Sequence, residues 1–190
     1  MRDSMKTLKS FSQDIILRNG TPALLRAIRP DDKQRLLAGF HRLTGKSIYF
    51  RFFSNKQKLT SKELKYFTEV DFEHHVALVV SLLNQEEDIV GVGRYVELEK
   101  RNNQKVAEVA FAIDDAHQNL GIGTILFETL VTIAQDKGIS ILVADILIEN
   151  KNMLEIFKHS GFKLHSTFEL GVEHIEFTIA DQTFNRYYET

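Results

Sequence analysis

The sequence of 190 residues lacks cysteine and tryptophan altogether and contains only two prolines. Without cysteine, the chain has no disulfide, no thiolate metal ligand and no cysteine nucleophile. No charged segment followed by an apolar stretch marks a leader, and no apolar run is long enough to span a membrane. The formal net charge of −2 also lacks the basic excess of a nucleic-acid-binding protein. These absences favour a cytoplasmic globular protein with no nucleic-acid or membrane partner.

The hydrophobic pattern predicts a mixed α/β chain. We expect a polar extension, residues 1–13, that is loosely ordered, followed by one domain, residues 14–190. Asn19-Gly20 between two apolar runs predicts a β-hairpin, because a tight primed turn needs positive φ. Strands and helices follow, and since many strands adjoin one another directly, most of the sheet is expected to be antiparallel.

Two glycines, Gly121 and Gly123, lie at the start of an otherwise apolar helix. Glycine destabilises a helix interior by about 1 kcal/mol relative to alanine, so its presence here needs an explanation. A phosphate group binds well at a helix N-terminus, where free N–H groups point outward. The residues around Gly123 fit neither a P-loop nor a dinucleotide fingerprint. The alternative is a packing role, in which the glycines only bring the helix close to the sheet.

The pattern Gln118-x-x-Gly121-x-Gly123 resembles the acetyl-CoA signature of the GNAT acyltransferase superfamily. A second stretch, ENKNMLEIFKHSGF at residues 149–162, is similar to the asparagine and final helix that follow in GNAT proteins. The resemblance implies a GNAT fold (α+β), with a mixed, mostly antiparallel sheet of about seven strands, flanking helices and an extra N-terminal β-hairpin. It also implies acetyl-CoA as the acyl-donor substrate and no metal.

Longer stretches, among them AEVAFAIDDAHQNLGIG at residues 107–123, resemble the acetyltransferase domain of Pat-type bacterial protein-lysine acetyltransferases. This likeness covers most of the chain from Asp14 to Phe162. It implies transfer of an acetyl group to a protein lysine, such as one on an acyl-CoA synthetase. Both a monomer and a homodimer are compatible with the sequence.

The resemblance also implies where the donor binds. The pyrophosphate is expected at the backbone of residues 118–124, and the pantetheine arm along the strand before that loop. A backbone N–H of this strand would polarise the thioester carbonyl, as an oxyanion donor does. Residues of the final helix complete the predicted donor site, which consists of Phe111, Ala112, Ile113, Gln118, Asn119, Leu120, Gly121, Ile122, Gly123, Thr124, Asn150, Asn152 and Phe157.

Glu108 is the candidate general base, because an amine acceptor such as lysine is protonated at neutral pH. It interrupts the apolar strand VAEVAFAI and shares a strand face with Ala110 and Ala112, which leave room above them. We expect this carboxylate to be partly buried, with a raised pKa. From the residues alone, an exposed strand glutamate or a structural ion pair is the alternative. The Pat-type resemblance favours catalysis, since these domains carry their glutamate at the matching position.

The sequence departs from the superfamily pattern at two positions. Phe157 stands where many GNAT enzymes carry a tyrosine that protonates the leaving thiolate, and Leu120 stands where a basic residue often precedes the first glycine. We therefore expect the thiolate to leave unaided or to take a proton from solvent. We also expect backbone N–H groups alone to bind the phosphates, with weaker affinity for the coenzyme.

Other polar residues are weaker candidates for a site. Asp71, Glu73 and Asp145 lie beside or within strands and could shape an acceptor site, but loop caps or surface charges are the simpler interpretation. The adjacent residues His74 and His75 point to opposite sides of an extended chain, which argues against a metal site.

Two other functions stay open. Transfer to a small-molecule amine or a protein N-terminus is compatible with the same donor site. A non-catalytic acetyl-CoA sensor is compatible with the missing tyrosine, although Glu108 among apolar neighbours argues against it.

Overall fold

An eight-stranded sheet forms the centre of the computed structural model, which describes residues 8–83 and 87–180. The strands lie in the order β1-β2-β3-β4-β5-β6-β8-β7, and within the described chain only β5 and β6 are parallel neighbours. The mixed, mostly antiparallel sheet is as predicted, with eight strands where about seven were expected. The strands are β1 (Ser12–Ile16), β2 (Pro22–Ala27), β3 (His75–Leu82), β4 (Ile89–Glu97), β5 (Lys105–Ile113), β6 (Ile139–Leu147), β7 (Lys163–Glu169) and β8 (Val172–Thr178).

Five α-helices have both ends within the part of the chain that the structure describes, and the second, third and fifth begin at a side-chain cap. The helices are α1 (Lys33–Arg42), α2 (Gly45–Phe52), α3 (Ser61–Thr68), α4 (Ile122–Asp136) and α5 (Lys151–Lys158). The start of α3 is a capping box, because Thr60 and Glu63 each accept a hydrogen bond from the other's backbone N–H. At α5, the Asn150 side chain accepts from the Met153 N–H. None of the described helices is long and apolar enough to cross a membrane.

Different helices cover the two faces of the sheet. Helix α4 packs on β3 to β6, and glycine in β4 permits this close approach, because a Cβ on Gly93 would lie 3.0 Å from Leu130 Cδ1. Helices α1 to α3 contribute a second, smaller apolar cluster, with Phe40, Leu59 and Leu64 at its centre. Since side chains alternate along a strand, Arg94, Glu108 and Ala110 face away from α4.

The N-terminal hairpin is confirmed, with Gly20 at a φ of +84° in its turn. The first seven residues of the predicted extension, and residues 181–190 of the predicted domain, lie outside the described residues. Strand β1 begins at Ser12, and Leu8 and Phe11 pack against the main core.

Strands β5 and β6 pair over only part of their length. Their paired positions run from Lys105 with Ile139 to Glu108 with Val143. Beyond Glu108, β5 continues to Ile113 with β4 as its partner strand. An unpaired strand edge presents N–H and C=O groups to an added extended chain. The separation of β5 and β6 therefore opens the sheet just before the start of α4.

Candidate active site

The loop between β5 and α4 brings both glycines to a cleft of about 770 Å³. Gly121 is the N-cap of α4 and has a φ of +87°, a conformation that favours glycine strongly. The N–H of Ile125 donates to the Gly121 carbonyl at 3.0 Å. The N–H groups of residues 122–124 precede this bond and have no intrahelical acceptor. Together with the helix dipole, these N–H groups form a position suited to an anion.

Gly123 is required for a different reason. A Cβ on this residue would lie 2.6 Å from Ile156 Cδ1 and 3.0 Å from Ile113 Cδ1, so that these two side chains would have to shift. The packing interpretation is therefore correct for Gly123, whereas the backbone conformation requires Gly121. Neither glycine adds a side chain at the start of α4.

A guanidinium reaches the glycine loop from the N-terminal hairpin. The backbone N–H of Arg18 donates to the Leu120 carbonyl at 3.1 Å, and its Nε lies 3.4 Å from the position of a Cβ on Gly121. Arg18 lines the cleft, as do Lys46 and Lys151. The sequence predicted that backbone N–H groups alone would bind the phosphates. Arg18 was not predicted, because it is distant in sequence from the glycine loop and only the fold brings it there.

Asp114 orders the segment that leads into the glycine loop. Its buried carboxylate accepts hydrogen bonds from Arg42 Nε at 2.8 Å and from the Ala116 N–H at 3.0 Å. Burial acts to raise the pKa of Asp114, but the hydrogen bonds from Arg42 and His117 outweigh this effect and lower it. Asp114 is therefore an ionised anchor that joins α1 to the end of β5.

Gln118 bridges the two sides of the cleft. Its Nε2 lies 3.4 Å from Ser47 Oγ on α2, and its Oε1 accepts from Asn152 Nδ2 on α5 at 3.3 Å. These long hydrogen bonds are weak, but they connect the loop to both helices that form the cleft walls. Gln118 thus helps to position the residues around the helix start.

Most of the predicted donor-binding residues do line the cleft. They are Phe111, Ala112, Ile113, Gln118, Asn119, Gly121, Ile122, Gly123, Thr124, Asn150 and Asn152. Leu120 instead packs against the main core. Phe157 is fully buried, with ring centroids 5.1 Å from Phe127 and 4.7 Å from Phe177. The apolar face of α5 points into the core, which places Phe157 away from the cleft.

Glu108 lies on the sheet face opposite α4 and is exposed. The prediction of a partly buried carboxylate is therefore wrong. Its cross-strand neighbours Val96 and Val143 are only half-buried, so this part of the sheet face is open to solvent. The predicted neighbours Ala110 and Ala112 do line a cavity on the same face, with a volume of about 60 Å³.

Two arginines that the sequence analysis missed also line this small cavity. Arg94 on β4 pairs across the strands with Ala110, and Arg51 on α2 lines both the small cavity and the cleft. Burial lowers the pKa of Arg51, and the charge of Glu108 acts in the opposite direction. Arg94 interrupts the apolar run IVGVGRYV as Glu108 interrupts the next strand, and that signal could have identified it.

Arg94 has no carboxylate partner in the described part of the chain, although it is only 5% exposed. Its Nη1 donates to His75 Nε2 at 3.1 Å, and the guanidinium lies 4.5 Å from the centre of the Phe67 ring. Burial and the charge of Arg94 lower the pKa of His75 to about 4, so this ring is neutral at pH 7. Burial and Arg51 lower the pKa of Arg94 to about 9, which leaves it charged at pH 7.

The weaker candidates have structural roles. Asp71 caps its loop by accepting hydrogen bonds from the backbone N–H groups of Glu73, His74 and His75. His74 contacts Glu97 at the surface, on the side opposite to buried His75. Within residues 8–83 and 87–180, no group of three or more histidine and acidic side chains could hold a metal ion.

Asp145 also has a partner on a neighbouring strand. Its carboxylate lies 2.7 Å from His174 Nδ1 on the neighbouring strand β8. This contact accounts for a charged residue within β6 without a catalytic role.

Comparison with known proteins identifies the class to which this fold and cleft belong. Residues 46–162 match the family model described as the acetyltransferase (GNAT) family. Since the match covers more than half of the chain, the chain belongs to the GNAT acetyltransferase family. The prediction made from the glycine loop and the final helix is confirmed.

The individual relatives support the Pat-type resemblance. The chain is 31% identical over 145 residues to Acetyltransferase Pat of Mycolicibacterium smegmatis, which covers 76% of this chain and 42% of that protein. This chain thus matches less than half of that relative's length. The GNAT domain of S. lividans PAT superposes with a TM-score of 0.79 at 31% identity, covering 88% of this chain and 96% of that domain.

A more distant structure shows the same fold. It is yncA, described as a putative acetyltransferase from Salmonella typhimurium and solved with acetyl-CoA, and it superposes with a TM-score of 0.66 at 14% identity. The superposition covers 85% of this chain and 96% of yncA.

Proposed function

We propose that this chain transfers an acetyl group from acetyl-CoA to an amine, with a protein lysine as the acceptor. The cleft is the observation that carries the proposal, because three features meet in it. They are the free edge of β5 at residues 109–113, the N–H groups at the start of α4, and the cation of Arg18. The relatives named Pat and the acetyl-CoA bound to yncA support the same choice.

Each part of the cleft suits one part of the donor. The N–H groups of residues 122–124 and the guanidinium of Arg18 would hold the pyrophosphate. The free edge of β5 at Phe111, Ala112 and Ile113 would pair with the amide groups of the pantetheine arm. A volume of about 770 Å³ is within the range for a large ligand. The donor supplies an activated acyl group, and the chain holds that group in position for transfer.

Glu108 is the proposed general base. In the transfer step the amine nitrogen attacks the thioester carbon, the carbon–sulfur bond breaks and the thiolate leaves. Glu108 lies two residues from Ala110, about 7 Å along the strand, so the amine proton would reach it through water. Its exposed position on the open sheet face makes such water available.

The leaving thiolate has no side-chain acid in this proposal. No tyrosine of the described residues lines the cleft, and Phe157 is buried in the core. A thiol has a pKa of about 8.5, so the thiolate is stable enough to leave unaided or to take a proton from solvent.

Calorimetry with acetyl-CoA and CoA tests the donor site. We expect micromolar binding by the wild-type chain and about three- to tenfold weaker binding by Arg18→Met, because Arg18 is exposed and its charge is partly screened. Arg101→Met is the matched control, since Arg101 is an exposed arginine that contacts Glu176 away from the cleft. Absence of binding by the wild-type chain would overturn the donor assignment.

Turnover of Glu108→Gln tests the base. With a lysine peptide from an acyl-CoA synthetase as acceptor, we expect kcat to fall by about 100-fold or more while acetyl-CoA affinity is kept. Glu173→Gln, which alters another strand glutamate, is the control. Unchanged turnover would show that Glu108 is not the base. Binding of acetyl-CoA without transfer to any amine would support a sensor instead.

The cellular setting follows from the same proposal. A donor such as acetyl-CoA and acceptors such as acyl-CoA synthetases occur together in the cytoplasm, and the absence of cysteine agrees with that location.

A further inference from the structure

We infer that Arg94 and Arg51 form a carboxylate-binding subsite beside the acyl end of the cleft. One substrate of the reaction then carries a carboxylate near its reacting atoms. This inference rests on the proposed function, because it uses the donor position along β5. It keeps the proposed donor site and the transfer to an amine but changes one of the two substrates, because neither acetyl-CoA nor a lysine side chain carries a carboxylate near the reacting atoms.

The two cavities share a wall where the reaction is proposed to occur. Ala112 and Arg51 line both the large cleft and the small cavity, and Arg94 closes the small one. The small cavity has a volume of about 60 Å³, which is roughly the space that two waters occupy in the liquid. A carboxylate is of this size. The alanines at positions 110 and 112 leave the space open, because they project only a methyl group into it.

The charge in this cavity is not neutralised by the described residues. Neither Arg94 nor Arg51 has a carboxylate oxygen within 4.0 Å in residues 8–83 and 87–180. Nη1 of Arg94 donates to His75 Nε2 at 3.1 Å and to the Phe67 carbonyl at 3.5 Å, whereas its Nε and Nη2 donate to no described residue. Burying a guanidinium without a counter-ion is costly. An anion that enters the cavity would remove this cost, and two guanidiniums can hold one carboxylate by several charge-assisted hydrogen bonds.

Glu108 does not serve as the missing counter-ion. Burial lowers the pKa of Arg51 and the charge of Glu108 acts in the opposite direction, but Glu108 is exposed and forms no ion pair with either arginine. Its place at the edge of this cationic region is compatible with a base that receives the amine proton through water. The subsite therefore lies next to the proposed base without using it.

Two substrates could supply the carboxylate. It could be the end of the acyl chain, as in succinyl-CoA, or the α-carboxylate of a free amino acid acceptor. The transfer step is the same in both cases, because the nitrogen–carbon bond forms, the carbon–sulfur bond breaks and the thiolate leaves. The experiment therefore has one arm for each source.

The first arm compares succinyl-CoA with butyryl-CoA, which has the same number of acyl carbons and no charge. Calorimetry gives both affinities for the wild-type chain and for Arg94→Met, Arg51→Met and the control Arg101→Met. The second arm uses acetyl-CoA and compares turnover of free amino acids with that of their amides. Thermal unfolding of each variant shows whether it is folded.

We expect the wild-type chain to prefer the carboxylate compound about 10- to 100-fold in one arm. The preference should disappear in Arg94→Met, should shrink in Arg51→Met and should persist in Arg101→Met. A preference in the first arm identifies the acyl chain, and a preference in the second identifies the acceptor.

Equal affinity for succinyl-CoA and butyryl-CoA, with equal turnover of acids and amides, would overturn the subsite while leaving the donor site intact. A preference that survives in both arginine variants would also overturn it. If neither CoA compound nor acetyl-CoA binds, the proposed function itself fails, and the subsite fails with it.

Discussion

Arg26 and Arg94 are two buried arginines on strands of one sheet, and they differ in how their charge is balanced. Arg26 is fully buried and donates two hydrogen bonds to the Asp32 carboxylate, at 2.7 Å and 2.8 Å. The same carboxylate accepts a bond from the Arg29 N–H. Arg94, which is 5% exposed, has neutral His75 and the Phe67 ring as its neighbours.

The difference separates a structural charge from one that is available to a ligand. The pair of Arg26 and Asp32 fixes the end of β2 to the start of α1, and both of its charges are already paired. Arg94 lies against a cavity with its charge still unbalanced by the described residues. A guanidinium that is already paired with a carboxylate has no charge available to bind a substrate. A buried cation without a counter-ion attracts an anionic group of a substrate.

Asp32→Asn should have the largest effect on stability. The change removes the carboxylate that accepts both short hydrogen bonds from buried Arg26 and leaves the Glu87 carboxylate 3.9 Å away, so we expect the free energy of unfolding to fall by about 3–5 kcal/mol. Urea denaturation measures this loss. Asp31→Asn is the control, because Asp31 is exposed and should change stability by about 0.5 kcal/mol or less. A loss below about 1 kcal/mol for Asp32→Asn would remove the contrast between the two arginines.

Acid should weaken the region around Arg94 and His75. The pKa of His75 is lowered from 6.5 to about 4 in the folded chain, so the unfolded chain binds more protons between these values. Its contribution to stability is complete above pH 6.5 and is lost as the pH falls through 4. This amounts to about 3 kcal/mol between pH 7 and pH 4.

Comparing wild type with His75→Gln isolates this effect from the titration of other groups. Arg94, Asp71 and Tyr66 surround His75 and are unchanged in the variant. The stability difference between the two chains should shrink or reverse as the pH falls. A difference that is constant from pH 7 to pH 4 would contradict the neutral state of His75.

Arg94→Met should have the smallest effect on stability. Replacing a buried cation that has no counter-ion with an apolar side chain is often neutral or stabilising, so we expect a change within about 1 kcal/mol or a gain. Arg26→Met, measured by the same denaturation, should be clearly destabilising because the buried Asp32 carboxylate loses its two short hydrogen bonds and keeps only the Arg29 N–H and the more distant Arg35, at 3.5 Å, among the described residues. If both variants lose stability equally, Arg94 is a structural residue and the comparison fails.

Periodicity and turn chemistry predicted the mixed α/β class and several elements, whereas the GNAT fold was predicted from the resemblance. Asn19-Gly20 predicted the hairpin, and the apolar stretch after Gly121 predicted α4. Each of these signals extends over a few residues, and over that range local backbone preferences determine which secondary structure forms. The sequence of the segment GKSIYFRFF does not indicate whether it forms a helix or a strand, because its aromatic residues favour strands. It forms α2 because Thr44 caps the helix and Phe52 packs on Phe40.

The parts of the site that escaped prediction depend on contacts distant in sequence. Arg18 reaches Gly121 only because the hairpin turn lies beside the glycine loop. Glu108 is exposed because its part of the sheet face, next to half-buried Val96 and Val143, is open to solvent, and no local sequence pattern indicates this. Asp32 is the N-cap residue of α1, but its side chain makes no cap hydrogen bond and binds Arg26 instead.

The separation of β5 from β6 also bears on how the chain behaves in solution. A strand edge with free N–H and C=O groups is a template to which another chain can add, and it is a common starting point for aggregation. A pantetheine arm lying along residues 109–113 would occupy that edge. A bound donor would therefore cover this strand edge, and prevent other copies of the chain from adding to it, until the acetyl group is transferred.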